Sequence, residues 1–281
     1  MTSTIKRRRQ LNCVNIGNFP LPTLFFSSSQ FSYMDLLPNQ VLLKIFENFD
    51  FKNILILRKV CRRFRNFIDD PKNVKFLPVA KFCGIDFTVH ENQVDLSFHS
   101  EEEGSVLIKQ NSSDSAIRDL VQVLRFQKSK LTYFTLNINS LQKLCAIEFS
   151  GIFKIYLESA NIKTESVTFL NCDENQVMSI LPNLNSKDLR KIYISSSFQL
   201  EMSKIVETIQ WKSADELYWR PQEISVHLAH LVHFSRLKIC FKSLSAADLN
   251  FLKNIYTKSS KFLEFDAYSK KFLSSEKLET L

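Results

Sequence analysis

The sequence predicts an α+β or α/β chain in three parts. A small helical unit comes first, a short β-meander follows, and then strand and helix alternate in a degenerate repeat. Three observations carry this. Residues 36–70 place apolar side chains at helical spacing, residues 84–110 place them at period two, and from about Ser115 short apolar strands recur between helical stretches. The chain has 281 residues, enough for one large or two modest domains, and its 44% hydrophobic content is ample for a buried core.

Taken in order, residues 1–34 form a separate segment. They are Ser-rich and contain Lys6, Arg7, Arg8 and Arg9, and no acid appears before Asp35. That composition loosely matches an organellar transit peptide. Pro20, Pro22 and the lack of sustained periodicity favour a disordered tail, and Met34 offers an alternative start directly before the first periodic segment. The helical unit spans 35–75. Its first helix opens at Pro38, a residue suited to the first helical position, and Val41, Leu42, Ile45, Phe46 and Phe49 follow as one apolar stripe. The break falls at 50–53, where Asn53 is positioned to cap a second helix carrying Leu57, Val60, Cys61, Phe64, Phe67 and Ile68. Asp69-Asp70-Pro71 stops it. The unit's core stretch 36–70, about 35 residues long, is too short to bury this much apolar surface by itself, since segments below roughly 40 residues seldom fold alone. A covering partner is implied: a second protein, or the chain's own later domain.

Residues 80–281 make up the larger domain. Ile85, Phe87 and Val89, then Val94, Leu96 and Phe98, then Val106 and Ile108 alternate with polar residues as a three-stranded meander. The repeat places paired strand anchors at Phe134/Leu136, Val167/Phe169, Ile192/Ile194, Leu217/Trp219, Leu237/Ile239 and Leu263/Phe265. First-anchor spacings of 33, 25, 25, 20 and 26 residues fall mostly within the range of leucine-rich-type repeats. Helical stretches are expected around Val177–Leu184, around Met202–Ile209, and around Leu249–Tyr256, the last opened by Ser245 and Asp248 as a capping box. Of the Asn residues that usually close such a repeat, only Asn171 is a plausible case, so an ordinary α/β layered domain stays open.

Composition excludes several functions. The four glycines, at positions 17, 84, 104 and 151, are too scattered to build a P-loop or a dinucleotide fingerprint, and no cofactor is expected. The six cysteines (13, 61, 83, 145, 172 and 240) contain no CxxC pair and read as reduced thiols of an intracellular protein, cytoplasmic or nuclear. No apolar run reaches the roughly 18 residues that cross a bilayer. Net charge is +8, of which the tail's Lys6–Arg9 supply four, so nucleic acid is weakly supported.

The run Leu37-Pro38, Val41, Leu42, Ile45, Phe49, Ile54, Leu57 and Val60-Cys61-Arg62-Arg63-Phe64 resembles an F-box, the module that docks onto the Skp-type adaptor of a cullin–RING ubiquitin ligase. Gln40 departs from the Glu frequent there, at a cost of about 0.3–1 kcal/mol. KIYIS, RLKICFKS, SILPNLNSKDLRKIYIS and IVETIQWKSADELY further resemble the FTH domain that follows the box in nematode F-box proteins. The resemblance implies a non-enzymatic substrate adaptor of a Skp–cullin–F-box ligase. Its adaptor-binding residues would be Leu37, Pro38, Leu42, Ile45, Phe46, Leu57 and Val60. Its C-terminal domain would hold an unidentified target protein. The alternative is a ligase-independent interaction scaffold.

Other constellations are weaker. Arg58, Lys59, Arg62, Arg63 and Arg65 form a basic cluster, read as a solvated helix face ahead of a phosphate-binding one. His227, His230 and His233 lack the four-residue step and the Cys or acid partner of a metal site, so no metal is expected. Among Trp211, Tyr218 and Trp219, the alternation with Leu217 makes Trp219 core and leaves Tyr218 as the candidate for target contact. No nucleophile, base and oxyanion set is apparent.

Overall fold

The computed structural model describes residues 14–15, 37–101, 104–139, 157, 161–197, 200–221, 224 and 226–273. Three helices come first: α1 (Asn39–Phe46), α2 (Phe51–Val60) and α3 (Arg62–Asp69). Two details differ from the sequence expectation. The cap of α2 is Asp50, whose carboxylate accepts from the Asn53 N–H at 2.7 Å. The expected second helix is also two, because Cys61 is extended (φ −151°, ψ 164°) and its Sγ accepts from the Phe64 N–H at 3.4 Å to open α3. A break here lets Phe64 and Phe67 turn back onto Phe46 of α1.

A single ten-stranded sheet makes up the body. Its strands are β1 (Val14–Asn15), β2 (Gly84–Val89), β3 (Val94–Ser100), β4 (Gly104–Gln110), β5 (Leu131–Ile138), β6 (Thr164–Leu170), β7 (Lys191–Ser196), β8 (Glu216–Pro221), β9 (Arg236–Ser245) and β10 (Glu264–Leu273), in the spatial order β1-β4-β3-β2-β5-β6-β7-β8-β9-β10. β2, β3 and β4 form the expected antiparallel meander. From β2 onward through β5 to β10 every neighbour is parallel. The parallel strands are reached through helices α4 (Ser113–Phe126), α5 (Glu174–Ile180), α6 (Ile209–Ser213) and α7 (Ala246–Tyr256). Their starts are written locally. Ser112, Asp173, Thr208 and Ser245 each accept a backbone N–H as N-caps, with full capping boxes at Asp173/Gln176 and Ser245/Asp248.

The anchors of five strands align in register. Phe134 pairs with Val167, Val167 with Ile192, Ile192 with Leu217 and Leu217 with Leu237. The sixth strand is corrected by two residues. Phe265, not Leu263, pairs with Leu237, and Leu263 is 64% exposed. Met202, Ile205 and Val206 are buried, as an apolar stripe demands, but residues 203–207 are turns. Helix α6 begins only at Ile209, which is exposed. Likewise α5 ends at Ile180 and Leu181–Asn183 is a single 3-10 turn with Pro182 inside it.

One core runs through the whole described chain. Phe46 meets Phe64 and Phe67 edge-on at 5.3 and 5.5 Å. Phe51 of α2 then reaches Phe82 and Phe126 at 5.8 and 5.1 Å, and Phe82 continues to Phe98 of β3. The helical unit is thereby bonded to the sheet. Cys61, Cys83, Cys172 and Cys240 are free thiols, whereas Cys13 and Cys145 lie outside the described residues. Apart from Val14–Asn15, paired with Val106–Leu107, the expected N-terminal tail also lies outside them.

Candidate docking interface

Two helices expose an apolar line. Val41 and Ile45 are one turn apart on α1 with Phe49 just beyond it, and Ile56 and Val60 are one turn apart on α2; all five are exposed, Val60 to 61%. Phe76 and Val79 follow after α3 and are exposed too. Of the twelve large apolar side chains exposed among the described residues, seven thus fall within residues 41–79.

This line and the stripe expected from sequence overlap only in part. Pro38, Ile45 and Val60 are exposed, and Leu37 and Leu57 are half-buried. Leu42 and Phe46 are fully buried inside the chain and cannot meet a partner. The reason is the break at Cys61: α3 folds back, and its Phe64 and Phe67 close over Phe46. Val41, Phe49 and Ile56 take their place at the surface. The i, i+4 spacing of Val41 and Ile45 carried that signal, but an apolar stripe too wide for one interface cannot say which edge faces in.

The basic cluster also divides. Arg58 is not solvated. Its guanidinium makes a two-pronged pair with Asp69 (2.7 and 3.0 Å) and a third bond to Asp119 on α4 (2.8 Å). Gln110 of β4 donates to the other Asp119 oxygen at 2.5 Å, and Gln122 donates to Asp69 at 2.7 Å. Burial opposes the Arg58 charge, yet the hydrogen bonds and charges of Asp69 and Asp119 outweigh it and raise its pKa. This node fastens α2 and α3 to α4 and the meander. Arg63 is also engaged, giving an N–H to the Leu37 carbonyl. Lys59, Arg62 and Arg65 remain exposed.

The far face of the parallel sheet is the second candidate surface. Residues alternating with the buried anchors form polar rows, with Thr135, Thr168, Tyr193, Tyr218, Lys238 and Asp266 side by side across six strands. Tyr193 and Tyr218 stack at 6.2 Å, and the Tyr218 hydroxyl donates to Glu216 at 3.0 Å. Tyr218 therefore lies on this face, while Trp219 and Trp211 are buried, the latter with its indole N–H on the His230 carbonyl at 3.0 Å.

The histidine trio does not converge. His227 Nδ1 accepts from the Ala229 N–H, and His233 Nε2 donates to the Trp211 carbonyl at 2.8 Å. Partial burial on Phe234 lowers the His233 pKa, and no metal-binding group of His, Cys, Asp and Glu occurs among the described residues. One polar chain escaped the sequence reading, because it joins three strands. His99 on β3 bridges Asp86 on β2 (2.8 Å) and Ser105 on β4 (2.9 Å). A carboxylate only accepts, so Nε2–H donates to Asp86, and Nδ1 shares the second hydrogen bond with the Ser105 hydroxyl. The serine is the buried end of this chain. The arrangement ties strands and does not present a nucleophile. No helix of the described residues is long and apolar enough to cross a membrane.

Comparison with known families finds two domain models along the chain. An F-box domain model matches residues 34–76, the segment holding the exposed apolar line. An FTH domain model matches residues 147–281, which covers the sheet from β6 to its far edge. No curated protein and no solved structure matches the chain.

Proposed function

We propose that this F-box protein with a C-terminal FTH domain is the substrate-recognition adaptor of a Skp–cullin–F-box ubiquitin ligase. The helical unit docks the Skp-type adaptor, and through it a cullin. The FTH domain holds a target protein, with the leucine-rich-type sheet face around Tyr218 as its contact surface. The protein carries out no chemistry itself. It acts by proximity, keeping target lysines within reach of a charged conjugating enzyme, in the cytoplasm or nucleus.

One observation carries this reading. Seven of the twelve exposed large apolar side chains among the described residues fall within residues 41–79, although Phe51, Ile54 and Leu55 of that segment already pack inward. A patch left open after the chain has covered what it can is a protein-binding signature. A fully exposed side chain of this kind gains about 1.5–3 kcal/mol on burial, and these, 36–61% exposed, gain part of that before association costs.

Co-expression with a Skp-type adaptor should give a 1:1 complex. Ile45→Asp with Val60→Asp should abolish it while leaving circular dichroism and the melting temperature almost unchanged, because both side chains are exposed. Absence of a complex with the native chain would overturn the proposal and leave an interaction scaffold outside any ligase.

A further inference from the structure

The positive charge of this chain is segregated. Residues 37–79 hold nine Lys and Arg against four Asp and Glu, whereas residues 80–281 hold 24 of each. The sheet domain is balanced, and several of its described charges pair with one another. Lys191 lies 3.9 and 3.8 Å from Glu165 and Glu216, Arg236 lies 3.3 Å from Glu216, and Lys238 lies 2.6 Å from Glu264.

The helical unit is different. Asp69 is taken by Arg58, while Asp50 and Asp70 accept the backbone N–H groups of Asn53 and Lys72. Lys44, Lys59, Arg62 and Arg65 are all exposed, and none forms an ion pair with a described carboxylate. Lys44 adjoins Ile45, and Lys59 and Arg62 flank Val60, the most exposed apolar side chain of the unit. Beside Arg62 opens a polar cleft lined by Asn39, Arg62, Arg63, Asn66, Asp70 and Asn73. Arg63 Nε is buried and has no hydrogen-bond acceptor among the described residues. A buried donor without an acceptor costs about 1–3 kcal/mol, so the cleft favours an incoming carboxylate.

We infer that the protein closing the α1–α2 face is acidic around an apolar centre. Its apolar centre covers Val41, Ile45, Ile56 and Val60, its acidic rim faces Lys44, Lys59 and Arg65, and one of its carboxylates enters the cleft at Arg62 and Arg63. The inference rests on the docking proposal above and adds the chemistry of the partner. An anionic membrane would answer the same charge, but the apolar side chains are divided over two helices, with no single helix face to insert.

The test uses the full chain with a purified Skp-type adaptor. Affinity measured by calorimetry should weaken at least about tenfold between ~50 and ~500 mM NaCl, because exposed charges are screened within a Debye length. Lys59→Glu with Arg62→Glu should lose at least about tenfold in affinity at the lower salt and flatten the salt dependence. Lys253→Glu, an exposed change on α7 away from this face, should behave as the native chain. Arg65→Glu, tested by itself, serves as a second probe of the rim. Tight binding that ignores salt and charge reversal overturns the acidic-partner inference and leaves docking intact. No binding at either salt overturns both. Salt-sensitive binding to phosphatidylserine-containing vesicles, without salt-sensitive adaptor binding, assigns the charge to a membrane and overturns the inference as well.

Discussion

Single residues decide how the helical unit joins the body. Arg58 spends its charge on Asp69 and Asp119, both partly buried. Arg58→Met removes the cation but leaves two carboxylates facing each other. The expected loss is about 2–4 kcal/mol, between the values for exposed and buried pairs, read by urea denaturation. A loss below about 0.5 kcal/mol would show the node to be solvated. Gly84 has a different role. The tip of the Tyr133 ring occupies the place where a Cβ would stand. Burial, then the charges of Asp86 and Cys83, push the Tyr133 phenol up to about 12, and burial does the same for Tyr256. Both values lie above the ordinary value of 10. Neutral phenols therefore stabilise the fold fully below pH ~10, and that contribution is lost as pH rises through about 12. Gly84→Ala should swing the ring outward, so that ultraviolet titration finds the Tyr133 phenol nearer 10 than 12. An unmoved titration would mean that the ring never lay against the glycine.

At the scale of elements, α1 has two apolar faces with different duties. Leu42 and Phe46 face α3, and Val41 and Ile45 face outward. Leu42→Ala should cost about 2–5 kcal/mol by opening a cavity. Val41→Ser should cost little stability, since surface changes usually stay within about 0.5 kcal/mol. Chemical denaturation of the two variants separates the faces, and equal losses would mean that α1 is buried all round. The strands were legible because each repeats a spacing that a pleated sheet requires. The last strand was not. Leu263 and Phe265 are both large and apolar at period two, and only pairing of Phe265 with Leu237 decides that Leu263 stands outside the row. The helix expected around Met202–Ile209 failed for a related reason: burial at i, i+3 and i+4 is satisfied there by successive turns that end at the Thr208 cap.

For the whole molecule, the consequence is cooperativity. The phenylalanine chain from Phe46 through Phe51 to Phe98, with Phe64, Phe67, Phe82 and Phe126 alongside, leaves no seam in the core. Trp211 and Trp219, the only tryptophans, lie in the sheet domain. Thermal melting followed by their fluorescence should show one transition, and Leu42→Ala in the helical unit should lower it. A tryptophan signal untouched by Leu42→Ala would mean two independently folding units. One continuous body also fixes the direction from the apolar line on α1 and α2 to the open sheet face. The adaptor role proposed above would require such a fixed direction to hold a target at constant reach.

By itself, the sequence determined the order of helical unit, meander and alternating strands, the cap at Ser245, and five of the six strand anchors. These are properties of neighbours along the chain, set by spacing and by backbone groups that must be satisfied locally. Only the tertiary structure decided which half of the apolar stripe stays open, that Arg58 is bonded inward, and that Asp86, His99 and Ser105 meet. Each depends on which segments pack together across long separations, and a period in one helix or strand holds no information about what will lie against it.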